Sequence, residues 1–311
     1  MTKRAVRPLR KGADTLERLH HAYRWALKAR GLSPNTLAQQ RITFDVFRQY
    51  SERQGFQLTL EDVTTERMQG FVSELLDTRA KATAQIRSRR MRTFFNWLVQ
   101  TGEIAESPML NMRDLKVQLR PPPVLDEDQL KRLVQACYGD LFVDIRDAAI
   151  IRLLIDTGLR RTELAAIRAI DIDWKQDSIM IRGKGGRFRH VWFGVKTRTA
   201  MERYNRERQK RTQYNSEGFW LSRRLHKTPF GAMAVAHIVN RRCYKAGIEG
   251  VSPHTFRHTF AHHFLANGGG EQELMIMGGW SATVTVRRYT ALLAADRARD
   301  AQKRHSLGDR I

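Results

Sequence analysis

Between residues 13 and 102 apolar side chains return every three or four positions, so this stretch reads as successive amphipathic helices. Ser33-Pro34 marks one start, because a serine hydroxyl can cap the first unpaired N–H groups and proline fits the first turn. Beyond it Leu37, Phe44 and Phe47 share a face that should enter a core, while Asn35, Gln39 and Thr43 share a polar face. The stretch 81–100 repeats the design: Arg87, Arg89, Arg90 and Arg92 crowd ahead of Phe94, Phe95, Trp97 and Leu98, giving a basic end and a packed end. Pro108 and Pro121-Pro122-Pro123 then bracket a segment with little periodicity, where three consecutive prolines cannot continue a helix. The expected division is a helical domain over 13–104, a semi-rigid linker over 105–123 and a second domain over 124–311.

In the second domain Asp126 offers an N-cap for a helix over 127–138, with Gln129 as its capping-box partner. A mostly apolar helix over 145–156 stops at Gly158, and a short helix over 160–167 follows at once. The β-rich runs 178–181 and 188–193 flank Gly183-Lys184-Gly185-Gly186 and read as a hairpin. Helices over 197–211, 232–246, 255–266 and 271–277 complete a domain that is mainly α with a small β-sheet. Neither repeats nor heptads are evident, and nothing approaches ~18 uninterrupted apolar residues or a signal peptide. A soluble, cytoplasmic protein with no membrane association is expected.

Charge changes the picture. The 311 residues carry 55 Lys plus Arg against 32 Asp plus Glu, a formal net charge of +23, which calls for a polyanionic partner, best a nucleic acid. The polar face of Asn35, Gln39 and Thr43 then either reads base edges or is simply solvated. The same choice, phosphate or water, applies to Arg87, Arg89, Arg90 and Arg92. Only Cys137 and Cys243 are present, without a C-x-x-C pair, so neither a disulfide framework nor a cysteine-ligated zinc is indicated.

Candidate chemistry lies in four motifs in the second half. Arg160 follows a helix stop and begins the next helix, which can hold its planar, permanently charged guanidinium rigidly, and Glu163 lies one turn away to orient a neighbouring cation. Lys184 sits among glycines at the hairpin tip, where the backbone can approach a duplex closely, and Arg182, Arg187, Arg189 and His190 make the whole hairpin basic. His254 and Arg257 stand three residues apart at a helix start, so an imidazole able to exchange a proton near neutral pH joins a second guanidinium. Trp280 precedes Tyr289 by nine residues, and Arg287 and Arg288 put positive charge beside that phenol. His254, His258 and His262 recur at i, i+4 and invite a metal reading, but no glutamate lies between them as in H-E-x-x-H. Each motif alone is commonplace; together they supply what phosphodiester transfer to a tyrosine requires.

The ordered set Arg160, Lys184, His254-x-x-Arg257, Trp280 and Tyr289 resembles the tyrosine recombinase, or phage integrase, family in its two-domain Xer-like form, over about residues 16–292. The resemblance implies a helical core-binding domain followed by a mixed α/β catalytic domain. It also implies that Tyr289 attacks the scissile phosphate to form a 3′-phosphotyrosyl link and free a 5′ hydroxyl. Arg160 and Arg257 would clamp the nonbridging oxygens, Trp280 would donate a further hydrogen bond, Lys184 would protonate the departing 5′ oxygen, and His254 would assist proton transfer at the tyrosine. No cofactor is implied. The implied partners are double-stranded DNA with inverted-repeat core sites and further subunits, in a tetramer on two sites, identical or paralogous, with the tail from about residue 291 packing on a neighbour. The biological settings would be insertion or excision of a mobile element or phage, or replicon dimer resolution. A type IB topoisomerase and a non-catalytic DNA-binding relative are the alternatives. Gly269, Gly270 and Gly278 depart from the commonest pattern, and weakened helix preference there leads us to expect a segment around Tyr289 that is mobile until DNA and a neighbouring subunit order it.

Overall fold

In the first half of the chain the three-and-four spacing becomes four helices: α1 (Leu16–Ala29), α2 (Pro34–Gln54), α3 (Thr65–Thr78) and α4 (Lys81–Thr101). The computed structural model describes residues 16–115, 122–183, 186–211, 217–222 and 230–280, and beyond 280 single positions that include Val286, Tyr289, Thr290 and Leu293. It divides into two units, Met1–Leu119 and Arg120–Ile311. α2 starts as its sequence suggests, with Pro34 in the first turn and the Ser33 hydroxyl accepting from the Thr36 N–H at 3.2 Å, and it ends on Gly55 in the left-handed region at φ 71°. Leu16, Tyr23, Phe47, Met68, Phe71, Phe94, Phe95 and Leu98 fill the core of this unit, with the Phe47 and Phe71 rings edge to face at 5.0 Å.

One expectation about this unit is corrected, and two others gain detail from packing. Thr43 is fully buried, its hydroxyl donating to the Gln39 carbonyl at 2.9 Å, because α2 packs against α4 on that side. Arg90 reaches across from α4 to Gln39 Oε1 at 3.2 Å and to Thr43 Oγ1 at 3.4 Å, whereas Asn35 stays exposed. Arg89 and Arg92 both engage Asp114, and Arg92 also donates to the Met112 carbonyl at 2.6 Å, so these two arginines tie α4 to the segment behind it. Arg87 and Arg90 have no acidic partner among the described residues. Residues 105–115, read as the start of the semi-rigid linker, pack on the first core: Met109 is fully buried there, with Met112 and Leu115 against it.

His20 is also buried here, stacked on Phe44 at 4.1 Å and edge-on to Phe94 at 5.3 Å. Burial, with the charges of Arg24 and His21, pushes its imidazole down to about 3. Below pH 6.5 the unfolded chain takes up a proton that the folded unit refuses, so stability falls as the pH drops from 6.5 toward about 3, by roughly 1 kcal/mol per pH unit. Urea unfolding over that range should show the slope, and His20→Phe should flatten it. An unchanged slope in the variant would assign the pH dependence to other groups.

The second unit runs α5 (Glu127–Gln135), α6 (Phe142–Thr157), α7 (Arg161–Ala165), β1 (Ile172–Asp173), β2 (Ser178–Arg182), β3 (Phe188–Trp192), α8 (Val195–Gln209), α9 (Ala232–Lys245), α10 (Pro253–Ala266) and α11 (Glu271–Gly278). Both halves of the Asp126–Gln129 capping box form, at 2.7 and 3.0 Å. α6 buries Ile145, Ala149, Ile150, Ile151, Leu153 and Leu154 against α8 and α10, which explains why its sequence shows little polar face. The sheet is antiparallel in the order β1-β2-β3, the two-residue β1 being too short to show a period of two in sequence. Ile179, Ile181 and Val191 point into the core, and the register sets Arg189 opposite Ile181 on that same inner side.

Candidate active site

The site begins where α6 ends. Gly158 closes that helix at φ 55°, and a Cβ there would meet the Phe260 ring of α10, so both backbone sign and close packing require glycine. The chain then turns through Arg160, which lies outside α7 as its extended N-cap and not within it as expected. Its backbone N–H donates to Glu163 Oε2 at 3.0 Å and its Nη1 to Glu163 Oε1 at 2.7 Å. Arg189 grips the same carboxylate from β3, Nη1 to Oε1 at 3.1 Å and Nη2 to Oε2 at 2.9 Å, and donates from Nε to the Met277 carbonyl at 2.9 Å. Burial pushes the Glu163 carboxyl up, but the hydrogen bonds and charges of Arg189 and Arg160 outweigh it and hold the group below the usual carboxylate range.

α10 brings Arg257 to the opposite side. Its guanidinium is buried, donating to the carbonyls of Gly158 at 3.1 Å and Gly278 at 2.5 Å and lying 3.9 Å over the Trp280 ring. Burial and the neighbouring charge of Arg160 draw it down to about 9, the mark of a cation short of negative charge. Arg160, Arg189 and Arg257 thus share one carboxylate, Glu163, among the described residues. Arg160 also reaches the Gly279 carbonyl at 3.4 Å. Gly278 and Gly279 have a steric reason: a Cβ on the first would collide with the Trp280 ring, and the second is left-handed at φ 61° with the Arg189 guanidinium 3.0 Å from where its Cβ would stand.

Tyr289 is buried on Ala261, Leu265, Leu274, Val286 and Leu293, with its ring 6.1 Å from that of Trp280. Its neighbour Thr290 donates to Glu271 Oε1 at 2.8 Å, which fastens the segment carrying Tyr289 to α11. The phenol oxygen lies 2.5 Å from Nδ1 of His258, and His258 stands edge-on to His254 at 4.3 Å. Burial and the charges of Arg257 and Arg160 lower the affinity of His254 for a proton, leaving a neutral imidazole beside the cationic cluster at neutral pH. A phenol at the edge of an anion-deficient pocket is the arrangement that suits nucleophilic attack on a phosphodiester.

The sequence matches the phage integrase family model over residues 123–296. The chain belongs to that family. It is a tyrosine recombinase, a site-specific DNA recombinase. Tyrosine recombinase XerD of Shewanella oneidensis is 31% identical over 288 residues, covering 91% of this chain and 94% of that protein. Tyrosine recombinase XerC of Thermodesulfovibrio yellowstonii is 30% identical over 230 residues, 72% of this chain and 76% of that one. Two solved structures share the fold: XerH site-specific recombinase bound to a palindromic difH substrate, with TM-score 0.74, 17% identity and coverage of 88% and 81%, and a lambda integrase dimer bound to a core site, with TM-score 0.70, 17% identity and coverage of 89% and 95%.

In this recombinase the structure brings Arg160, Glu163, His254, Arg257, Trp280 and Tyr289 into one region of the second unit. Lys184, at the hairpin tip, lies outside the described residues, as do most of the positions from 281 to 288 in the segment expected to be mobile. Arg182 and Arg187 are exposed beside the tip, but Arg189 is not available to DNA as expected: the strand period turns it inward, where it braces Glu163. His258 was not singled out for tyrosine chemistry, although its i, i+4 spacing from His254 puts it on the same helix face. Among the described residues no group of three or more His, Cys, Asp or Glu is placed to hold a metal ion, and no helix is long and apolar enough to cross a membrane.

Proposed function

We propose that this recombinase cuts and rejoins double-stranded DNA at inverted-repeat core sites through a 3′-phosphotyrosyl intermediate on Tyr289, in the cytoplasm and on the nucleoid. The observation that carries the reading is the Tyr289 phenol packed near Trp280 and within the field of Arg257, one of three guanidiniums that share one carboxylate, a surplus of positive charge that one phosphodiester would relieve. Arg160 and Arg257 each present five N–H donors, of which two point at partners among the described residues, so both retain donors for nonbridging oxygens. Trp280 adds an indole N–H, and Lys184 protonates the departing 5′ oxygen. Exposed Asn35, Arg182 and Arg187, with Arg87 and the Gln39–Arg90 pair, contact the duplex.

The covalent intermediate stores the phosphodiester bond energy, so rejoining needs no ATP. Exchange between two sites requires a tetramer of identical or paralogous subunits, a reading supported by the shared fold of a lambda integrase tetramer bound to a Holliday junction. Integration or excision of a mobile element and replicon dimer resolution are the settings that fit.

The protein is incubated with fragmented host DNA in EDTA, denatured and digested, and DNA ends bearing a tyrosyl peptide are sequenced. Ends converging on one short inverted repeat, linked to Tyr289 and absent with Tyr289→Phe, are expected. Scattered Tyr289-linked ends would point to relaxation of supercoils instead, and the absence of linked ends where DNA binding is verified would overturn the catalytic reading.

A further inference from the structure

Proton transfer at the nucleophile has two candidates one helical turn apart, and the geometry separates them. His254 and His258 both leave α10 on the face that also carries Arg257, Ala261 and Leu265. His254 is desolvated enough to lower its proton affinity, yet it is the more exposed of the two and lies within the fields of Arg257 and Arg160. His258 is partly buried, and its Nδ1 lies 2.5 Å from the Tyr289 oxygen, with the two rings 5.6 Å apart. The phenol is held against it by packing on Ala261, Leu265, Leu274, Val286 and Leu293 and by the Thr290–Glu271 hydrogen bond of the next residue.

We propose that His258, and not His254, is the residue that takes the proton of Tyr289 during cleavage and returns it during rejoining. For the phenol to donate to Nδ1, the neutral imidazole must carry its own hydrogen on Nε2. As the Tyr289 oxygen bonds to phosphorus its proton passes to Nδ1, giving an imidazolium. The bond from phosphorus to the 5′ oxygen breaks, and that oxygen takes a separate proton from the general acid, the part assigned above to Lys184. In rejoining, the 5′ hydroxyl attacks phosphorus and gives its proton back to the general acid. The tyrosyl oxygen leaves, and the His258 imidazolium reprotonates it. No oxidant, metal or water is consumed. His254 is left to the phosphate side, where its neutral ring is a hydrogen-bond partner for an oxygen held by the two arginines.

The inference rests on the covalent chemistry proposed for Tyr289, and its test keeps the two apart. A nicked suicide duplex is built on the inverted repeat recovered from the sequenced covalent ends, and the rate of adduct formation is followed for wild type, His258→Gln and His254→Gln. Glutamine keeps a polar side chain that can hydrogen-bond the phenol but cannot act as a base. His258→Gln should slow adduct formation about 100-fold or more, the usual worth of a general base. Replacing Tyr289 by the more acidic 3-fluorotyrosine should recover roughly a tenth or more of that loss in His258→Gln while changing wild type little, because a phenol that ionises by itself needs its base less. A duplex with a 5′-bridging sulfur, whose thiolate leaves without a proton, should not rescue His258→Gln.

Adduct formation by His258→Gln at the wild-type rate would overturn the proposal. So would a loss untouched by 3-fluorotyrosine, which would mark His258 as a packing residue, or rescue by the bridging sulfur, which would move it to the leaving group. Absence of any Tyr289 adduct with the wild-type protein would overturn the covalent reading itself. Should His258→Gln fold poorly by thermal melting, the ionisation of 3-fluorotyrosine at position 289, read by fluorine NMR in the DNA-free wild type and in His258→Asn, tests the contact directly. The phenol resonance should move between the two proteins, and identical spectra would overturn the assignment.

Discussion

Arg257→Ala should slow strand cleavage severely and also melt the catalytic unit at a lower temperature, whereas Arg160→Ala should slow cleavage as severely with little loss of stability. Both guanidiniums are assigned to the phosphate, and removing one preorganised donor of this kind costs roughly 100- to 1000-fold in rate. Their structural environments differ. Arg257 is 2% exposed, and its loss would strand the carbonyls of Gly158 and Gly278 and leave a void beneath Trp280. Each stranded carbonyl costs about 1–3 kcal/mol if water cannot reach it. The Arg160 side chain is 39% exposed, and without it Glu163 keeps both of its bonds to Arg189. Covalent-adduct assays beside thermal melts of the two variants would check this. Equal destabilisation would mean that Arg160, too, holds the fold together.

Asp147→Asn should cost about 3–5 kcal/mol of folding stability, the usual penalty for breaking a buried charge cluster from one side. Asp147 is completely buried on α6 and accepts from Arg146 Nη2 at 2.9 Å, from Arg242 Nε at 2.8 Å and from Arg241. Arg242 also engages Asp144 at 2.6 Å and the Ala136 carbonyl at 3.0 Å, so the cluster stitches α9 to α6 and to the end of α5. Burial alone would lower Arg242, yet the hydrogen bonds and charges of Asp144 and Asp147 raise it, as expected for a pair whose attraction exceeds its desolvation. Asparagine keeps the shape and removes the charge, leaving Arg146 and Arg242 buried beside a neutral amide. Urea unfolding of the variant measures the cost. A loss under about 1 kcal/mol would show that water enters and screens the cluster.

Much of the local structure is legible in short stretches of sequence. Ser33-Pro34 and the Asp126–Gln129 box start helices where their side chains can reach nearby N–H groups, an interaction confined to three or four residues. Gly158 ends α6 for an equally local reason, the left-handed backbone that glycine accepts. The alternation in 178–182 and 188–192 also identifies the inner face of the hairpin, and reading Arg189 against that alternation would have turned it inward. Charge counting hid this, because a basic hairpin suggests that every arginine on it faces DNA.

Other placements depend on which element arrives from a distance. Thr43 is buried because α4 lies against that face of α2, and Arg89 and Arg92 gain an acidic neighbour because Asp114 returns to them. The periodicity of one helix says which residues share a face but not which faces are covered.

By itself the sequence determined the mainly helical class, the helix starts and stops, the basic character and the order of the motifs bearing Arg160, His254, Arg257, Trp280 and Tyr289, since each depends on neighbours within a few positions or on composition. Only the tertiary structure decided that Arg189 serves Glu163, that Arg257 is buried over Trp280, and that His258 is the imidazole against Tyr289. Those contacts join residues 26, 23 and 31 positions apart. They are set by how strand register and helix packing close around a shared site, and hydrogen bonds and charge act over a few ångströms of space regardless of separation along the chain.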